Sequence, residues 1–143
     1  MAERVPSDHP SVSTVRAKIV RSGGTTRPCL RLPSELSLSG GDVVRLSLGG
    51  ETYHAPVVED AEGLLVRGAY DNKRLARNPG ESENRLVEWC GTTGRDPGSS
   101  VEVDEVEPEF FYGVRVPGKR VVYDVPQKPN DSLASIAEKL EDN

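Results

Sequence analysis

Val43-Val44-Arg45-Leu46-Ser47-Leu48 and Thr52-Tyr53-His54-Ala55-Pro56-Val57 are two alternating apolar and polar runs on either side of Gly49-Gly50. A two-residue hairpin turn needs positive φ at its central positions, which glycine adopts without strain, and a period of two is that of a strand with one buried face. The stretch therefore predicts a β-hairpin. Upstream, Val15, Ala17 and Ile19 alternate with Arg16 and Lys18, so residues 15–20 are expected to form a half-buried strand. The Gly-rich stretch from Arg21 to Arg27 is then a loop, and Cys29-Leu30-Arg31-Leu32 a returning strand stopped by Pro33.

Downstream, a turn over residues 59–63 leads to a short strand at residues 64–67, and Asp71 is placed to cap a helical turn carrying Lys73, Arg74 and Arg77. Asn78-Pro79-Gly80 ends that turn. Residues 84–90 fit either a short helix or a strand, and residues 91–98 read as loop. Three further strands are expected at residues 101–106, 110–116 and 119–125, the last two joined by a tight turn at Pro117-Gly118. About eight short strands at this spacing imply a mainly β fold, a small closed or partly open β-barrel that Trp89, Phe110, Phe111 and Tyr112 would fill. Residues 1–14 lack periodicity and read as a flexible tail, residues 15–125 as the barrel domain, and residues 126–143 as a linker and helix. In that helix Asp131 can cap, and Leu133, Ile136, Ala137 and Leu140 make one apolar stripe that would dock on the barrel or on a partner.

With 143 residues the chain suits one domain. Its 35% hydrophobic and 29% charged residues describe a core inside a heavily charged exterior, not a disordered polymer. A net charge of −5 excludes attachment to nucleic acid or membrane by bulk charge, so any anion site must be local. No apolar run of about 18 residues and no basic-then-apolar leader is present, so a cytoplasmic protein with no membrane partner is expected. Cys29 and Cys90 have no CxxC spacing; buried thiols in a reducing compartment are expected, with a disulfide between them as the alternative.

Arg31-Leu32-Pro33, the Gly-turn hairpin ending in Tyr53, Leu65-Val66-Arg67-Gly68, Asn84-Arg85-Leu86 and Gly98-Ser99-Ser100-Val101 follow one another in an order that resembles the DNA-binding pseudobarrel. That fold is shared by plant transcription-factor domains and restriction-enzyme effector domains. The resemblance covers residues 15–106, and Ser99 stands where the plant domains usually carry Asp. Leu32-Pro33-Ser34-Glu35-Leu36 leading to Gly41-Asp42-Val43-Val44 is similar to the AbrB swapped-hairpin class of DNA-binding dimers over a shorter span. The whole chain also resembles an uncharacterised haloarchaeal protein family, which supplies no established activity. A loose internal repeat relates Gly41-Asp42-Val43-Val44-Arg45-Leu46 to Gly98-Ser99-Ser100-Val101-Glu102-Val103, each preceded by an Arg-Leu pair, as a barrel of two halves would.

Net positive charge is confined to two segments. Residues 14–36 carry a balance of +4 and residues 64–86 of +2, while every other stretch is acidic. In a pseudobarrel those positions resemble two arms that grip the major groove. The resemblance implies a first arm of Arg21, Ser22, Thr25, Thr26 and Arg27, and a second of Arg67, Tyr70, Asn72, Lys73 and Arg74. These residue types suit duplex recognition, because Arg pairs with guanine O6 and N7, Asn with adenine, and Ser and Thr hydroxyls reach phosphates.

Catalytic and metal readings have less material. There are two histidines, His9 and His54, and no sequence around a Cys29–His54 dyad resembles a nucleophile motif. Zinc ligands would have to come from Cys29, Cys90, His54 and an acid that are widely scattered. The alternating acids Glu102, Asp104, Glu105, Glu107 and Glu109 read as a solvated strand edge that discourages strand addition. The Gly-rich loop lacks the Lys of a phosphate loop. The expectation is a non-enzymatic, cofactor-free and metal-free module that binds double-stranded DNA, with transcriptional regulation as the role such binding would serve. The alternative is a protein-interaction or self-association module using the acidic strand and the C-terminal helix.

Overall fold

The computed structural model describes residues 3–21, 27–36, 38–80 and 82–126, and among them the chain forms nine strands and two short helices. Seven strands close into a barrel: β2 (Ser13–Arg21), β3 (Pro28–Leu32), β6 (Gly63–Val66), β5 (Glu51–Asp60), β4 (Val43–Leu48), β8 (Phe111–Arg115) and β7 (Ser100–Glu107), in that order. All neighbours are antiparallel except β4 and β8, which run parallel with Arg45 opposite Phe111 and Leu48 opposite Val114. Pairing of β2 with β7, from Ser13 opposite Glu105 to Lys18 opposite Ser100, shuts the cylinder.

The alternation read in the sequence is what makes these strands. Ala17 and Ile19 of β2, Leu30 and Leu32 of β3, Val44, Leu46 and Leu48 of β4, and Ala55 and Val57 of β5 join one buried cluster with Val101, Val103, Tyr112 and Val114. Gly49 and Gly50 turn the β4–β5 hairpin at φ 60° and 90°, the mirror-image turn expected of the pair. Residues 84–90 resolve as helix: α2 (Arg85–Thr93) carries Leu86, Trp89 and Cys90 into the barrel cluster at the end where β4 finishes and β3 begins. It extends through Thr93 because Gly94, at φ 71°, supplies the left-handed cap, so part of the expected loop over residues 91–98 is helical. α1 (Lys73–Arg77) lies against β5 with Ala76 buried; its cap is Asn72, not Asp71, the carboxamide oxygen accepting from Leu75 N at 2.8 Å.

Two expectations change outside the barrel. The stretch expected as a tail contains β1 (Glu3–Pro6), which pairs antiparallel with β9 (Val122–Val125), Val5 opposite Tyr123. Four residues are too few to show periodicity, so only the partner far along the chain reveals the strand. β9 accordingly does not pair back onto β8 past the Pro117-Gly118 turn but leaves the barrel and covers it. β8 is buried on both faces as a result, Tyr112 and Val114 inward, Phe111 and Gly113 under the ribbon. β7 is no edge either: it is paired on both sides, and Asp104 is fully buried. The two copies of the loose repeat begin β4 and β7, yet the Arg-Leu pairs before them fall in strand β3 and helix α2. The expected helix around Asp131, Leu133, Ile136, Ala137 and Leu140 lies outside the described residues.

Candidate functional site

Arg21 ends β2 and Arg27 precedes β3, both exposed at the barrel end closed by α2. Ser22, Thr25 and Thr26 of the first arm lie outside the described residues. The second arm begins where β6 stops. Val57 pairs with Val66 and His54 with Tyr70, so three steps along β5 oppose four along the other chain, and the extra residue throws Arg67 outward. Gly68 is required in this arch because a Cβ there would overlap the Tyr70 hydroxyl.

Asn84 holds the arch against α2. Its Oδ1 accepts from Ala69 N at 3.3 Å and Leu86 N at 3.1 Å, and its Nδ2 donates to Arg67 O at 3.0 Å. Sequence reasoning missed this residue, although Asn immediately before an apolar-periodic stretch is a cap signal. Through that clamp the two arms meet: Arg27, Tyr70, Ser82, Asn84 and Glu88 line one concavity of about 570 Å³. Tyr70 is 7% exposed, and burial raises its hydroxyl pKa while the Arg27 guanidinium acts in the opposite sense. Its ring is packed by the arch rather than displayed, and Asn72 commits its carboxamide oxygen to the α1 cap. Lys73 borders a different concavity with Asp42, Pro56 and Arg77, and Arg74, exposed on α1, lines neither.

Not every basic residue of the two segments is available. Arg31 makes a bidentate pair with Asp60 at 2.8 and 2.9 Å, which holds the Asp60 carboxyl below its usual range. Arg85 does the same with Asp71 at 2.9 Å for both bonds and adds Glu83 at 2.7 Å and Glu88 at 3.0 Å. Arg21, Arg67, Lys73 and Arg74 make no ion pair with a described residue.

The thiols and histidines point elsewhere. Cys29 and Cys90 are free and enclosed, 0% and 2% exposed, and burial pushes the Cys90 thiol up to about 12, far from a reactive thiolate. His54 Nδ1 is buried without a hydrogen-bond partner among the described residues, and desolvation, then Arg45 and Lys73, lowers its pKa. Among the described residues no group of three His, Cys, Asp or Glu side chains is placed to hold a metal ion, and no helix is long and apolar enough to cross a membrane.

A family model described as a family of unknown function, DUF7112, matches residues 1–140. The chain belongs to that family. No curated protein matches it, and no solved structure does. The DUF7112 match spans β1 to β9 and both helices, so the Arg27–Tyr70 concavity, the Asn84 clamp and the closed barrel all lie inside the family's extent.

Proposed function

We propose that the protein binds double-stranded DNA through the basic end of its barrel, as a regulator. The observation that carries this reading is the convergence of the two basic segments, far apart in the chain, at one concavity: Arg27 of the first faces Tyr70 of the second. Arg21, paired with Pro28 beside Arg27, and Arg67, whose carbonyl the concavity's Asn84 holds, are exposed cations next to it, and Lys73 and Arg74 are exposed on α1. The order of elements that resembles a DNA-binding pseudobarrel, and the shorter AbrB-like stretch, support the same reading. Charge alone does not hold a protein of net charge −5 to a polyanion, so local guanidinium contacts to phosphates and base edges do the work.

The test measures duplex and single-strand affinity from low to high salt for the wild type and for a variant with Arg21, Arg27, Arg67 and Arg74 all changed to Ala. Each phosphate contact contributes about 0.9 to the slope of log affinity against log salt. The quadruple variant is expected to lose between about 2 and 4 from that slope on duplex. Equal duplex affinity of the two proteins at every salt concentration rejects the reading.

A further inference from the structure

Between the last turn of α2, the β4–β5 turn and the connection from β8 to β9 lies a second cavity, of about 360 Å³, which the nucleic-acid reading does not use. Its size is at the lower end of the range for small-molecule sites. Trp89, Val114, Val116, Val121 and Val122 make its walls, with Gly49 and Gly50 leaving room where a hairpin with side chains would close it. Val122, 41% exposed, is the large apolar side chain left open to water among the described residues, and it sits on this rim.

The polar groups are of one sign. Among the described residues no carboxylate lines the cavity, and the charged ones that do are Arg115 and Lys119. Arg115 is occupied by Asp104, through Nε at 2.8 Å and Nη2 at 3.2 Å, and by Lys119 O through Nη1 at 2.9 Å. That last bond, together with Lys119 N to Val116 O at 3.1 Å, fixes the backbone of the turn that presents the Lys119 ammonium. No described carboxylate pairs with that ammonium. The rim is braced further by Arg120 on Asp8 at 3.1 Å. Thr92 and Thr93 donate their hydroxyls to helix carbonyls, Glu88 O at 2.9 Å and Trp89 O at 2.7 Å, and so have only acceptor capacity left.

We infer that this cavity is a binding site for a small amphipathic organic anion, an aliphatic or aromatic body seated against Trp89 and the valines with its carboxylate at Lys119. The inference does not depend on nucleic-acid binding. An apolar pocket rewards the hydrocarbon for leaving water, and Lys119, the lining cation that no described carboxylate pairs with, orients the head group.

Trp89 is the only tryptophan of the chain, so its emission reads this cavity directly. The experiment titrates the full chain with octanoate, 1-octanol and octylammonium, three probes with the same tail length and different heads. Octanoate is expected to saturate at an affinity at least tenfold tighter than octylammonium, with octanol between. Lys119→Glu is expected to weaken octanoate at least threefold and to bring octylammonium level with it or ahead. Thr92→Phe, filling the cavity from the exposed last turn of α2, should abolish saturation by all three while circular dichroism stays unchanged. An absence of saturable emission change, an unaltered order of the three probes in Lys119→Glu, or undiminished octanoate binding in Thr92→Phe each overturns the assignment.

Discussion

Asp104 shows what a single position hides. It stands among Glu102, Glu105 and Glu107 as one more acid of a charged strand, yet its carboxylate is fully buried and takes bonds from Thr14 Oγ1 at 2.5 Å, from both arms of Arg115 and from the Tyr123 hydroxyl. Nothing in a local window separates it from its neighbours, because its partners come from β2, β8 and β9. Gly113 is the other half of the same arrangement. The Tyr123 side chain lies directly over it, and a Cβ would overlap the phenol end of that ring. Gly113→Ala is therefore expected to cost about 1 to 3 kcal/mol in urea unfolding. Combined with Tyr123→Ala, which removes the obstructing ring, the two losses should be less than additive. His54 gives a pH dependence. Held below its ordinary value near 6.5 chiefly by burial, it takes up a proton more readily unfolded than folded. Its contribution to stability is thus complete above pH 6.5 and is lost as pH falls toward the lowered folded value. His54→Gln should show a smaller drop in stability between pH 7 and pH 5 than the wild type, and equal drops would contradict the burial argument.

At the scale of elements, what was legible was what is local. The Gly49-Gly50 hairpin needs only its own residues, β2 announces itself by period-two alternation, and β3 by a short apolar run stopped at Pro33. The parallel β4–β8 pair, the β1–β9 ribbon and the exit of β9 from the barrel depend on partners distant in sequence, which periodicity does not encode. The candidate site divides in the same way. Its basic residues were visible as local charge, but their availability was not: Arg31 and Arg85 are held by carboxylates that the fold brings to them. The Asn84 clamp, missed in the sequence, joins α2 to the Arg67 arch and caps the helix at once. Asn84→Ala is expected to cost about 1 to 2 kcal/mol, since the cap and the bond to Arg67 O are lost together. Asn72→Ala, at the exposed five-residue α1, removes a cap alone and should cost less. Thermal unfolding followed by Trp89 emission on α2 distinguishes the two, and an equal loss would place the importance of Asn84 in capping only.

At the scale of the molecule, the described residues make a closed barrel with a two-stranded ribbon laid over one flank, and the two layers differ in what holds them. Every barrel strand has hydrogen-bonded neighbours on both sides, whereas among the described residues β1 and β9 have only each other. The ribbon is fastened by side chains: Val5 and Tyr123 are buried at 6% and 3% exposure, Phe111 meets the Tyr123 ring edge to face at 5.9 Å, and the Tyr123 hydroxyl reaches Asp104. If the ribbon opens, Asp104 keeps Thr14 and Arg115, so its charge stays compensated and the barrel below loses a cover but not its closure. Local opening of the ribbon should therefore precede global unfolding. Val5→Asp, which sets a carboxylate against that buried flank, is expected to speed amide exchange in β1 and β9 more than tenfold, while amides in β3 and β6 slow or quicken by far less. Equal acceleration in ribbon and barrel would mean that the two layers unfold as one cooperative unit, with the Asp104–Tyr123 bond welding them together.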